Sequence, residues 1–227
     1  MAEGREERQT ILCSFADVAG LTDDDAFETG MALLPWPSRR EKALRYHRRE
    51  DRALCVGAGL LLADMLREAG VVDLAVEVGE KGKPFLLAEP SVHFNLAHAG
   101  TVAACAVSDA PVGVDVEAVA PLDKGLVSHC LTDVERAWLE GQEEPGRAFT
   151  TLWTRKESYL KLKGCGLEVE PSEISAEPGS ALGREARFFE YHLGNYVLCV
   201  CAWATDDETG TPCCTFAPHE GGLAHHG

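Results

Sequence analysis

Asp115 and Glu117 stand two positions apart in PVGVDVEAVA, residues 111–120. In an extended chain alternate side chains share a face, so Val114 and Val116 can turn into a core while both carboxylates point the other way together. Such a pair is half of a site for a hard divalent cation; taken alone, it is also what any strand with one wet face carries. A third carboxylate comes from AFTTLWTRKESYLKLKG at 148–164, where Trp153, Glu157 and Lys161 recur at intervals of four and form one stripe of a helix. Trp153 reads as the packing anchor of that helix, and Glu157–Lys161 by itself as an ordinary intrahelical pair. Three carboxylates about one point repel unless a cation sits among them. Mg²⁺, with Mn²⁺ as the alternative, is satisfied by a few carboxylates, water and phosphate oxygens. Lys83, Lys156, Lys161 and His98, with a basic run upstream, supply the cations a polyphosphorylated nucleotide would need.

That run is RREKALRYHRREDR at 39–52, which holds seven of the 21 Lys and Arg residues in a chain whose net charge is −16. The overall acidity argues against a nucleic-acid binder, while the local patch suits a small polyanion. With 45% hydrophobic residues and 227 positions there is material for a substantial core. No stretch reaches the ~20 apolar residues of a membrane span, and the opening residues lack the order of a signal peptide. The cytoplasm is the expected compartment. The nine cysteines are irregularly spaced and several lie in apolar runs such as VLCVCA, so they read as buried thiols.

The elements that must position these groups follow from periodicity and punctuation. TDDDAFE at 22–28 predicts a helix start, and one long helical segment is expected over about 39–69, closed at Gly70. VVDLAVEVG at 71–79 predicts a strand, with EKGKP as the turn after it. VHFNLAHAG at 92–100 predicts a short strand that enters a glycine turn carrying Asn95 and His98. TVAACAVSD and PVGVDVEAV are expected to pair as an antiparallel hairpin about Asp109-Ala110-Pro111. A helix capped by Thr132 or Asp133 covers 131–141, a stronger one covers 148–164, and 186–204 forms a hairpin turning at Gly194-Asn195. This order fits an α+β protein of two similar lobes, each a long helix on a small antiparallel sheet, at 1–110 and 111–205, with 206–227 as a flexible tail.

Four blocks in sequence, GKP at 82–84, FNLAHAG at 94–100, GVDVE at 113–117 and FTTLWTRKESYLKLKGCGL at 149–167, resemble the 4′-phosphopantetheinyl transferases of the Sfp type. The resemblance implies two lobes related by a pseudo-two-fold axis, with coenzyme A in the cleft between them. It implies transfer of the phosphopantetheine arm to a serine of an apo acyl or peptidyl carrier protein, with release of adenosine 3′,5′-bisphosphate. Carried over by position, Asp115, Glu117 and Glu157 are the implied Mg²⁺ ligands, Lys161 the lysine near the pyrophosphate, and Lys83 and His98 phosphate contacts. Glu157, directly or through a water, is the implied base for the carrier serine. Arg45, Arg48 and Arg52 are candidates for the adenosine end, and Lys156 for the phosphates. The family turn usually reads FN-x-SHS; Ala97 and Ala99 replace both serines here.

The residues after Glu117 offer Leu122, Leu126, Val127 and Trp138 for a carrier, and a monomer is expected because one chain supplies both walls of a cleft. Two other classes share these features: a coenzyme A-binding or carrier-docking module without catalysis, and a metal-dependent hydrolase of nucleotide pyrophosphates.

Overall fold

The computed structural model describes residues 9–79, 82–164, 169–205 and 211–219. Its centre is a four-stranded sheet made of β1 (Thr10–Asp17), β4 (His93–Ala99), β5 (Val102–Ser108) and β9 (Cys213–Pro218), in the order β4-β5-β1-β9. Every residue of β5 is buried. It is a central strand with both faces covered, and its alanines at 103, 104 and 106 let the layers close from both sides. One face takes α3 (Arg49–Glu68), whose Leu61, Leu62 and Leu66 share a cluster with Cys105 and Val107.

Before α3 come α1 (Asp24–Leu33), capped by the Asp23 carboxylate on the amides of Asp25 and Ala26, and α2 (Pro37–Arg45), with proline in its first turn. The single helix expected over 39–69 is therefore two. Tyr46 and Arg48 are both extended, and the break lets α2 fold back along α3, where Arg39 Nε donates to Cys55 O and Arg52 Nε to Tyr46 O, each at 2.8 Å. Arg39 passes so close over Gly59 that a Cβ there would lie 2.7 Å from its Nε. The expected strand at 71–79 shrinks to β2 (Val76–Val78), paired antiparallel with β3 (Pro84–Leu86).

A second sheet holds β6 (Val112–Ala118), β7 (Ala186–Leu193) and β8 (Tyr196–Trp203) in the order β6-β8-β7, all antiparallel. The β7–β8 hairpin turns at Gly194-Asn195, as the sequence predicts. The expected pairing of 101–109 with 111–119 does not occur. Residues 109–111 carry the chain from one sheet to the other, and β6 pairs with β8 while Val112, Val114 and Val116 pack face to face on Ala104 and Ala106. Alternation specifies that a segment is a strand and which face is apolar, but not its partner.

On the far side of the second sheet lies α6 (Pro145–Lys163), ended by Gly164 in the left-handed region. It is flanked by α4 (Lys124–Cys130), α5 (Asp133–Glu140) and the short α7 (Leu182–Glu185). Thr132 and Glu135 form a reciprocal capping box at the start of α5. Close approach of α6 to β6 depends on Gly113, where a Cβ would sit 2.0 Å from Ser158 O.

The predicted tail at 206–227 is corrected in part: 213–218 form β9, parallel to β1, and Phe216 stacks on Tyr191 of β7 at 4.4 Å. The free edge of β1 and the apolar gap beside Phe15 draw this segment in. Residues 206–210 and 220–227, including His225 and His226, lie outside the described residues, as does Cys165. Among the described residues no helix is long and apolar enough to cross a membrane.

Candidate active site

β8 occupies only one edge of β6, and the other edge is closed by side chains instead of a strand. Asn95 Oδ1, from β4, accepts the Val114 N–H at 3.0 Å, and Lys161 Nζ donates to Val114 O at 3.2 Å. Lys83 Nζ spans Val112 O at 3.4 Å and Lys161 O at 3.0 Å. An unpaired strand edge would leave these groups without partners, so satisfying it brings Lys83, Asn95 and Lys161 together around β6. Asn95 and His98 lie within β4 and not in a turn as expected; the turn follows at Gly100, whose φ is +58°.

The alternation read from the sequence holds, with the valines in the core between the sheets and Asp115 and Glu117 on the α6 side. That side is not wet. Asp115 is only 5% exposed. Its Oδ1 lies 2.7 Å from Lys161 Nζ, while its Oδ2 is buried with no hydrogen-bond partner. Burial pushes the Asp115 carboxyl up to about 7, and Glu117 and Glu157 push it the same way against the pull of Lys161. Burial also raises Glu117 and Glu157 above their ordinary value. Trp153 Nε1 donates to Glu117 Oε1 at 3.4 Å, so this residue orients a carboxylate as well as packing its helix.

Of the three carboxylates, Glu157 lines a pocket of about 350 Å³, together with Lys83, Asn95, Leu96, Leu160 and Lys161, among others. His98 stands at the end of β4 on the face turned towards α2. Desolvation lowers its pKa, and the positive charges of Lys161, Arg39 and Lys42 lower it further. A cationic group thus stands on one side of the carboxylates. Arg39 and Lys42 were not singled out from the sequence, although their spacing of three on one helix puts them on a common face.

One other residue is not where the sequence reading put it. Lys156 is fully buried, with Nζ 2.5 Å from Glu135 Oε2, 2.7 Å from Cys130 O and 3.0 Å from Pro171 O, and cannot reach a phosphate. A buried ammonium needs every proton accepted, and this one is enclosed where those acceptors converge. Arg45 pairs with Glu41 and Arg48 with Glu50 on the surface, and Arg52 turns its Nε back onto Tyr46 O. The helix break at 46–48 separates Arg45 from Arg48 and Arg52.

Among the described residues no three His, Cys, Asp or Glu side chains are grouped closely enough to hold a metal ion as they stand. The donor chemistry suits a hard cation all the same, because the site offers carboxylate oxygens alone, one of them buried without a partner, with Glu117 and Glu157 near enough to raise the Asp115 pKa.

Residues 111–212 match the family model described as the 4′-phosphopantetheinyl transferase superfamily. The chain is 28% identical over 182 residues to 4′-phosphopantetheinyl transferase Sfp of Bacillus subtilis (strain 168), covering 73% of this chain and 81% of that protein. It is 30% identical over 142 residues to a 4′-phosphopantetheinyl transferase of Bacillus subtilis, covering 60% of this chain and 63% of the relative. A 37% identity over 102 residues to the psf-1 transferase of Bacillus pumilus covers 44% of each. The last two alignments therefore span less than two thirds of the relative's own length.

Proposed function

We propose that this chain is a member of the 4′-phosphopantetheinyl transferase superfamily, whose model its residues 111–212 match, and that it moves the phosphopantetheine arm of coenzyme A to a serine of an apo carrier protein and releases adenosine 3′,5′-bisphosphate. The observation that carries the reading is the buried, unpartnered Asp115 Oδ2 beside Lys161, Glu117 and Glu157 at the margin of a pocket with cationic walls. In this reading the four-stranded sheet with α1–α3 and the three-stranded sheet with α4–α7 are the two lobes, related by pseudo-two-fold symmetry, and coenzyme A lies in a cleft between them.

Asp115, Glu117 and Glu157 would hold Mg²⁺, which when bound supplies positive charge to the pyrophosphate oxygens. Lys161, fixed between Asp115 Oδ1 and Val114 O, offers its charge to the same pyrophosphate as the bond to the leaving bisphosphate breaks. The carrier serine Oγ forms the new bond to phosphorus, and its proton passes to Glu157, directly or through one water. His98 and Lys42 take the nucleotide phosphates, with Lys83 at the pocket wall.

Beyond Glu117 a second hollow of about 380 Å³, lined by Pro121, Leu126, Phe149 and Trp153, is where the carrier would dock, with Leu122 and Leu126 exposed at its rim. Val127 and Trp138 pack into the core cluster under α6 and leave that role to the other two. A cytoplasmic monomer fits this reading.

The test is intact-mass spectrometry of an apo carrier protein incubated with the chain, coenzyme A and Mg²⁺, with and without chelator. A chelator-sensitive gain of one phosphopantetheine is expected. Coenzyme A cleaved without any carrier would point to hydrolysis, and coenzyme A bound but left intact would point to a binding module.

A further inference from the structure

We infer that Glu135 and Lys156 are positioning residues, a buried staple that fixes both Glu157 and the 169–171 wall of the pocket; the inference rests on the transferase reading above. The three donors of Lys156 Nζ are all spent, on Glu135 Oε2, Cys130 O and Pro171 O. Glu135 is equally committed, since its Oε2 also accepts the Thr132 N–H and its Oε1 the Ala176 N–H, both at 2.8 Å. One ion pair thus ties backbone groups at the end of α4, the start of α5, Pro171 and Ala176 to the middle of α6. Both side chains are 0% exposed.

A buried ion pair is a poor device for stability alone, because well-packed apolar residues of the same volume commonly do as well or better. What charge-assisted hydrogen bonds add is direction and distance. Two things held by this staple belong to the site. Val169 and Pro171 line the same pocket as Glu157 and Lys161, so the bond to Pro171 O sets how far that wall stands from α6. Glu157 follows Lys156 in the helix, about 100° further round. Any rotation or slide of α6 that Lys156 resists would swing the Glu157 carboxylate away from Asp115.

The experiment compares Glu135→Leu, Lys156→Met and the double variant, with urea unfolding alongside steady-state transfer to an apo carrier. Each single variant leaves a buried charge unpaired and is expected to lower the unfolding midpoint; the double variant is expected to recover it. If the pair positions the site, the recovered double variant still shows kcat at least tenfold below wild type with carrier KM unchanged. Wild-type kcat in that variant would overturn the inference. Glu135→Asp, which keeps both charges but draws the carboxylate back by one methylene, decides the matter even where the double variant fails to fold: a severalfold fall in kcat at unchanged carrier KM supports positioning, and an unchanged kcat refutes it. A wild-type chain that transfers nothing would remove the transferase reading, and this inference with it.

Discussion

Five residues apart on α6, Lys156 and Lys161 each reach a carboxylate on another element, at 2.5 and 2.7 Å, yet the two pairs are finished differently. The Lys156–Glu135 pair is sealed, with both side chains inaccessible and both carboxylate oxygens accepting hydrogen bonds. In the Lys161–Asp115 pair the lysine is 29% exposed, and one buried carboxylate oxygen has no donor. The first arrangement completes a frame, and the second leaves capacity for something else to bind. Two ion pairs of the same composition on one helix are thus separated by what remains unsatisfied around them.

The comparison can be broken at the sealed pair first. Lys156→Met alone should cost about 3–5 kcal/mol of folding stability, measured by urea unfolding, because it strands the Glu135 carboxylate; a loss below about 1 kcal/mol would mean that the pair is not the frame described. Asp115→Asn should do the reverse. Transfer should fall by roughly 10²–10³-fold, while the thermal midpoint stays level or rises, since the substitution removes a buried charge with an unmet oxygen. The same reasoning fixes a pH dependence. The Asp115 carboxyl is raised to about 7 in the fold, so its contribution is fully present below the ordinary carboxylate value and is lost as pH rises towards 7. The metal-free chain should therefore lose stability across that window, Asp115→Asn should lose less, and added Mg²⁺ should restore the wild type.

Gly113→Ala tests what the two pairs share, since its Cβ would lie 2.0 Å from Ser158 O and must push α6 off β6. A loss of about 1–3 kcal/mol is expected, with a fall in transfer as Lys161 leaves Asp115. Smallest of all, Lys42→Ala should weaken coenzyme A binding about two- to fivefold by calorimetry, while Arg45→Ala, which removes only a surface pair with Glu41, should leave it unchanged.

What the sequence revealed and what it hid divide along the same physical line. The Asp115/Glu117 face, the Trp153–Glu157–Lys161 stripe, the Thr132 cap and the Gly194-Asn195 turn depend on neighbours within a turn or two of chain, and all were legible. The burial of Lys156 depends on Glu135, 21 positions away, although a local sign existed: Lys156 lies on the apolar stripe Leu152–Lys156–Tyr159. The partner of β6 and the seat of β9 are long-range pairings that alternation cannot specify. The break at 46–48 was hidden because its residues have ordinary helical preferences and no proline or glycine marks it. The arginines picked from that segment therefore stand on two helices, Arg45 at the end of α2 and Arg48 and Arg52 at the start of α3.

The parallel seat of β9 on β1 has a consequence for how the molecule comes into being. Ser14 Oγ donates to Ala217 O across 203 positions, so the four-stranded sheet cannot be completed until almost all the intervening residues have left the ribosome. At ordinary synthesis rates that is a wait of about 10–40 s. During it the outer edge of β1 stands unpaired, and neighbouring nascent chains can compete for it. The fold should therefore form late and cooperatively, with its slowest step the return of a distant strand to the first one made.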